Sequence, residues 1–263
     1  MKHRVAFLAM TLVVQLGCYA ACSSLKSADP APPDAEPFDG AAPSDAARES
    51  STRDAMPDGG RFCPRTDASF CADFDLGQLT TGWEPLTTAF VGSIGATPSD
   101  RSAPNGLLST APPTDGGASA VLYRRLAHTA GIRPTLTLDV DVRVDEVAGA
   151  ASADLATFGY VGATELVAIE ATPSGLGLSL VDADGGVTSQ TVPRPAGASW
   201  FHLQVEMTLG GPLRIRVDGA TSFTTTTPFA DRTADVVFGV GAAVTSSSAK
   251  AAIAYDNVVV TER

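Results

Sequence analysis

The sequence predicts an all-β domain, a two-sheet antiparallel β-sandwich (jelly roll), preceded by a disordered linker and an export signal. Three observations carry the prediction. Apolar and polar residues alternate with period two through most of residues 62–263, as strands with one buried face require. The apolar runs are short and are separated by Gly, Pro, Asp and Asn, as in Asp182-Ala183-Asp184-Gly185-Gly186, residues that favour turns. No stretch of this region carries apolar residues at helical spacing. Roughly ten or more short strands joined by turns bury their apolar faces by stacking two sheets.

Residues 1–22 read as a lipoprotein-type signal peptide. Lys2, His3 and Arg4 precede an apolar stretch from Val5 to Leu16, and small residues follow around two cysteines. The segment Gln15-Leu16-Gly17-Cys18-Tyr19-Ala20-Ala21-Cys22-Ser23 resembles a bacterial lipobox, in which the cysteine after a small residue is lipidated and becomes the new N-terminus. Cleavage before Cys22 removes Cys18 and leaves Cys63 and Cys71 to pair. Cleavage before Cys18 leaves Cys22 as a free thiol in an oxidising compartment. Cys22 is therefore the expected lipidation site, with Cys18 as the alternative. Ser23 after Cys22 lacks the aspartate that retains such proteins in the inner membrane, so the expected location is the bacterial cell envelope, anchored by lipid to the outer membrane.

Residues 23–61 are rich in Ala, Pro, Asp, Ser and Gly, with few large apolar residues. Such a segment buries too little surface to offset its ordering entropy and reads as a disordered linker. As a flexible coil its 39 residues span roughly 35 Å, so it serves as a spacer between anchor and domain.

Within residues 62–263 the clearest strands are three. Leu136, Leu138, Val140, Val142 and Val144 alternate with polar residues, as do Phe201, Leu203, Val205 and Met207, and then Leu213, Ile215 and Val217. Asp218-Gly219 follows as a hairpin turn. Weaker strands read over 89–94, 119–126, 155–161, 166–171, 176–181, 236–240 and 253–260.

Composition excludes several functions. The chain of 263 residues carries a formal charge of −11 and three lysines, whereas a nucleic-acid backbone requires clustered cations. The processed chain keeps this acidity, because the signal contributes +2, the linker −4 and the domain −9. No apolar run reaches the 18 or so residues of a membrane-spanning helix.

The order of features along the domain resembles a known family. Phe70-Cys71-Ala72-Asp73-Phe74-Asp75 is followed by Gly82-Trp83, then Ser102-Ala103-Pro104-Asn105-Gly106-Leu107. Gly197-Ala198-Ser199-Trp200 leads into a long alternating strand, Arg216-Val217-Asp218-Gly219 follows, and Tyr255-Asp256-Asn257-Val258 lies near the end. Over about residues 70–260 this is similar to the concanavalin A-like lectin/glucanase superfamily in its laminin-G-like form. The resemblance implies a jelly roll whose relatives mostly bind sugars or proteins. It also implies a structural calcium site at Asp73, Asp75 and Asp256, oxygen ligands that suit the ion.

Catalytic patterns are weaker. The glucanase branch carries Glu-x-Asp-x-x-Glu on one strand; here Asp139, Asp141, Arg143 and Asp145 share one face with no glutamate at either end. Such a row reads as a solvated face, and no catalytic residue is assigned. His128 and His202 are the histidines outside the signal, too few for a Cys/His zinc site, and His202 reads as exposed. Cys63 and Cys71 read as a disulfide closing a short loop, worth roughly 2.5 kcal/mol by chain entropy. Sugar binding calls for aromatic platforms. Phe201, Phe238 and Trp200 fall on core faces, leaving Trp83, Tyr123 and Tyr160 as candidate ligand-binding residues, with a core position as the alternative for each. Three functions follow: a monomeric surface module that binds a glycan or an envelope protein, a degenerate glycoside hydrolase, or a structural envelope lipoprotein.

Overall fold

The computed structural model describes residues 63, 68–75, 78–84, 88–102, 104–132, 135–149, 152–195, 197–225 and 229–263. The signal, with Cys18 and Cys22, and the linker over 23–61 lie outside the described residues.

The alternation does what the sequence requires of it. The described strands form two antiparallel sheets, a jelly-roll sandwich. One sheet of eight strands runs in the order β13 (Ala220–Thr224), β12 (Leu213–Val217), β11 (Trp200–Thr208), β6 (Thr135–Ala148), β15 (Lys250–Glu262), β4 (Asn105–Ala111), β3 (Ser93–Pro98). Here β1 (Ala68–Ala72) pairs with the C-terminal part of β15. The other sheet has seven strands, β10 (Val187–Pro193), β9 (Gly175–Val181), β8 (Leu166–Ala171), β7 (Ala153–Tyr160), β14 (Val236–Val244), β5 (Ala118–Leu126) and β2 (Thr88–Phe90).

The core lies between the sheets. On β6, Leu136 to Val144 point inward at every second position and are at most 3% exposed, while Thr137, Asp139, Asp141 and Arg143 stand on the outer face. Burying each such Leu or Val is worth about 1.5–3 kcal/mol relative to solvent. The sheets are also joined by a polar contact. Ser109 of β4, fully buried, donates to the Ala120 carbonyl at 2.5 Å and accepts from the Ala242 amide at 2.8 Å. One hydroxyl thus bonds two backbone groups of the facing sheet, on the register partners Ala120 and Ala242.

Cys63 and Cys71 form the expected disulfide, with a Cα separation of 5.7 Å. It ties the chain ahead of β1 to the edge of the eight-stranded sheet. Asp218 and Gly219 both have positive φ, 49° and 77°, the backbone that a two-residue hairpin turn demands.

One expected strand divides. The reading of a continuous strand over 89–94 gives way to β2 and β3, because the chain crosses between sheets at Val91 and Gly92. A Cβ on Gly92 would stand 2.4 Å from the Ser119 carbonyl oxygen and 2.7 Å from that of Thr110, so no side chain fits there. Val91 meanwhile has φ +59°, a left-handed backbone that is strained for a β-branched residue. Strands β4, β10 and β13 are additional to those read from the sequence.

Candidate functional site

The outer face of the seven-stranded sheet carries a cleft of about 310 Å³, lined among others by Phe90, Tyr123, Asp154, Thr157, Gly239 and Gly241. Glycines make the hollow. A Cβ on Gly239 would stand 2.7 Å from the Tyr123 ring and 3.0 Å from Thr157 Oγ1, so the Tyr123 ring lies across bare backbone. Gly241 sits at the register shift of β14 and would place a Cβ 2.2 Å from the Ala120 carbonyl. From behind, the buried Tyr255 hydroxyl donates a proton shared between the Leu155 and Gly241 carbonyls, each at 2.8 Å. This bond holds the irregular backbone of β7 and β14 where Asp154 stands.

Asp154 is the chemically distinctive group in the cleft. It is 9% exposed, and its carboxyl makes no hydrogen bond or ion pair among the described residues. Its register partner on β8 is Glu170, whose carboxylate accepts from the Ser179 hydroxyl at 3.2 Å. Burial, and secondarily the charge of Glu170, push the Asp154 carboxyl up to about 8. Asp154 is therefore largely protonated at neutral pH and presents both a donor and an acceptor.

A second polar group lies on the outer face of the eight-stranded sheet. His202 stands between Asp139, 3.2 Å from its Nε2, and Asp141, 3.3 Å from its Nδ1. Gln204 Nε2 donates to Asp139 at 2.8 Å and Asn257 Nδ2 to Asp141 at 2.8 Å. The hydrogen bonds to Asp139 and Asp141 raise His202 to about 9, outweighing its partial burial. Burial works to raise Asp141, but the bonds from His202 and Asn257 prevail and its pKa is lowered. With every acid matched by a cation or donor, including Arg143 to Asp145 at 2.7 Å, the acidic row is an internally satisfied surface. The expectation that His202 is simply exposed is corrected: the register pairing His202 with Asp141 half-buries it.

The aromatics read as ligand candidates separate. Trp83 is 6% exposed and packs edge-on against Phe70 and Phe238, with ring centroids at 4.7 and 5.7 Å. Tyr160 is fully buried, its hydroxyl donating to the Ala230 carbonyl at 2.6 Å, and burial pushes it up to about 12. Of the three, Tyr123 alone lines the cleft. Trp200, read as a core residue, is half-buried on the outer face beneath the Arg143 guanidinium, 4.9 Å from its ring. It shares parity with His202 rather than with buried Phe201.

Asp73, Asp75 and Asp256 are occupied individually. Asp73 accepts from the Asp75 amide, and Asp75 from the Asn105 amide at 3.2 Å. Asp256, fully buried, accepts from the Ser99 hydroxyl at 2.5 Å, from the Ser102 amide and hydroxyl at 3.0 Å, and from the Asn257 amide at 2.8 Å. Burial raises its pKa against the opposing pull of these donors. Among the described residues no three His, Cys, Asp or Glu side chains gather to hold a metal ion.

No protein-family model matches the chain, and no curated protein matches it in sequence. Solved structures do match in fold. The cellulose-induced protein Cip1 superposes with a TM-score of 0.55 at 13% identity, covering 73% of this chain and 96% of that one. The family 7 alginate lyase A1-II′ superposes at 0.51 and 12% identity, covering 64% of this chain and 83% of the lyase. These likenesses show a concanavalin A-like jelly-roll fold.

Proposed function

We propose that this chain is a lipid-anchored envelope protein whose sandwich is a non-catalytic module that binds glycan chains in the cleft of the seven-stranded sheet. The observation that carries the reading is the cleft itself. An aromatic ring, Tyr123, lies along a hollow of about 310 Å³, and an unpartnered carboxyl, Asp154, stands within it. This is the pairing of apolar platform and polar anchor that sugar recognition uses. Two of the proteins sharing the fold are named for polysaccharides, cellulose and alginate. The deciding experiment is binding on a glycan array, with loss on Tyr123→Ala; retained binding in that variant contradicts the reading. Anchoring rests on the Ala20-Ala21-Cys22 sequence and is tested by mass spectrometry of the mature N-terminus, where an unmodified end after residue 22 refutes it.

A hydrolytic reading draws on the neighbouring acids Asp154 and Glu170, since two carboxyls serve glycoside cleavage. Glu170 is bonded to Ser179 and does not line the cleft, so among the described residues the lining carries one carboxyl, Asp154. Binding is the better-supported activity. Release of reducing sugar that disappears in Asp154→Asn reverses this preference.

A further inference from the structure

We propose that the cleft selects an uncharged polysaccharide chain, with the Phe90 ring as the face on which a sugar stacks and the Asp154 carboxyl as the group that reads its hydroxyls. The inference rests on the glycan reading of the same cleft and names the ligand class and a contact residue that the reading leaves open.

Charge in the cleft disfavours a polyanion. None of the described residues lining the cleft is Lys, Arg or His. The two cations that follow Tyr123 on β5 are both engaged: Arg124 donates to the Gly82 carbonyl at 3.0 Å and lies over the Phe70 ring, and Asp235 holds Arg125 at 3.8 Å. Glu170 stands beside Asp154 in register. A polyuronate or sulfated chain would lose hydration on entering this cleft and meet no compensating cation, an unfavourable exchange. An uncharged chain brings only hydroxyls, which pair with a buried carboxyl able to donate and accept.

Phe90 offers the stacking face. Phe90, which lines the cleft, is 59% exposed, and Val91 beside it in sequence is 56% exposed, two large apolar residues in solvent. Exposure alone is ordinary. Here the exposed ring is also held in place at a cost. Val91 takes the left-handed backbone at φ +59° and bridges Ser119, while Gly92 wedges against the Ser119 and Thr110 carbonyls. Strain at a β-branched residue persists where the surrounding structure enforces it, and such outliers cluster at ligand clamps. Phe90 itself pairs with Ser119 on β5, so strand pairing and the strained crossing together hold the ring where a sugar face would meet it.

The test measures calorimetric binding of cellohexaose, xylohexaose and mannohexaose beside hexaguluronate and hexagalacturonate. It uses the wild type and the Phe90→Ala, Asp154→Leu and Asp154→Asn variants, with melting profiles as folding controls. At least one uncharged hexamer is expected to bind more than tenfold tighter than both uronates. Phe90→Ala, at an exposed site, keeps the wild-type melting point and loses at least tenfold in affinity. Asp154→Leu loses a similar factor, while Asp154→Asn, which also donates and accepts, stays within about threefold. A uronate that binds more tightly than the uncharged hexamers overturns the charge class while leaving the glycan reading intact. Unchanged affinity in folded Phe90→Ala removes the stacking role. Absence of binding to every hexamer overturns the glycan reading and this inference together.

Discussion

Asp154 of β7 stands opposite Glu170 of β8 in antiparallel register, which sets two acids side by side on one sheet, and among the described residues a side-chain hydrogen bond reaches only the second. An arrangement that serves stability alone would place a donor or an apolar residue at 154. The location of this unfavourable group in the cleft is what links the energetics of the fold to the proposed function.

Asp154 makes stability depend on pH in a defined direction. Its folded pKa, about 8, lies above the ordinary 3.8, so the native state holds its proton more tightly than the unfolded chain. The unfavourable contribution is absent below about pH 4, grows as pH rises toward 8, and is complete above that value. Asp154→Asn is therefore expected to stabilise the protein by about 2–4 kcal/mol at pH 8 and by little at pH 4. Urea unfolding at the two pH values checks this, and equal differences at both would contradict it.

His202 also makes stability fall with rising pH, here by losing a favourable contribution rather than by gaining an unfavourable one. Its folded pKa, about 9, lies above the ordinary 6.5, so its stabilisation is fully present below about pH 6.5 and disappears as pH rises through 9. With 41% of the side chain exposed, solvent screening limits the effect to about 1 kcal/mol or less. His202→Gln should lower stability at pH 6 and leave it unchanged at pH 10. An imidazole that titrates near 6.5 by NMR would show that the clamp between Asp139 and Asp141 is absent.

Ser109→Ala removes the hydroxyl shared by Ala120 and Ala242. Two buried backbone groups lose their partner, with a cost of about 1–3 kcal/mol. Equilibrium unfolding measures it, and hydrogen exchange should show the Ala242 amide losing protection first. A loss below about 0.3 kcal/mol would mean that the backbone finds other partners.

Val91→Gly should stabilise the chain by about 1 kcal/mol, because relief of left-handed strain exceeds the entropy that glycine adds to the unfolded state. Val91 is largely exposed, so little burial is lost. A destabilised variant would mean that the valine side chain packs favourably despite its backbone.

The fold was legible where one face is buried and the other solvated. Residues 166–171 and 213–217 were read with the bounds the structure gives to β8 and β12, and the long alternation after Thr135 gave β6. Strand β10 escaped because Val187-Thr188-Ser189-Gln190-Thr191 lies at a sheet edge, mostly exposed, and an edge strand needs no apolar period. Strand β7 is buried at every position, so alternation told little about which of its residues faces the cleft. Asp154 was missed for that reason: its significance comes from a register with Glu170, 16 residues away, and from a bulge that local pattern does not reveal. Trp200 was misread although the signal was present, since parity with His202 puts it on the outer face. Phe90 carried no signal, because its exposure follows from the crossing at Val91 and Gly92.

The most direct test of the central claim is a backbone NMR titration of the mature protein with the tightest-binding hexamer from the calorimetric series. The account predicts shift changes at Phe90, Tyr123, Asp154, Thr157 and Gly239, with His202 and Gln204 on the opposite sheet unmoved. Changes confined to the face of His202, Gln204 and Trp200 would contradict it.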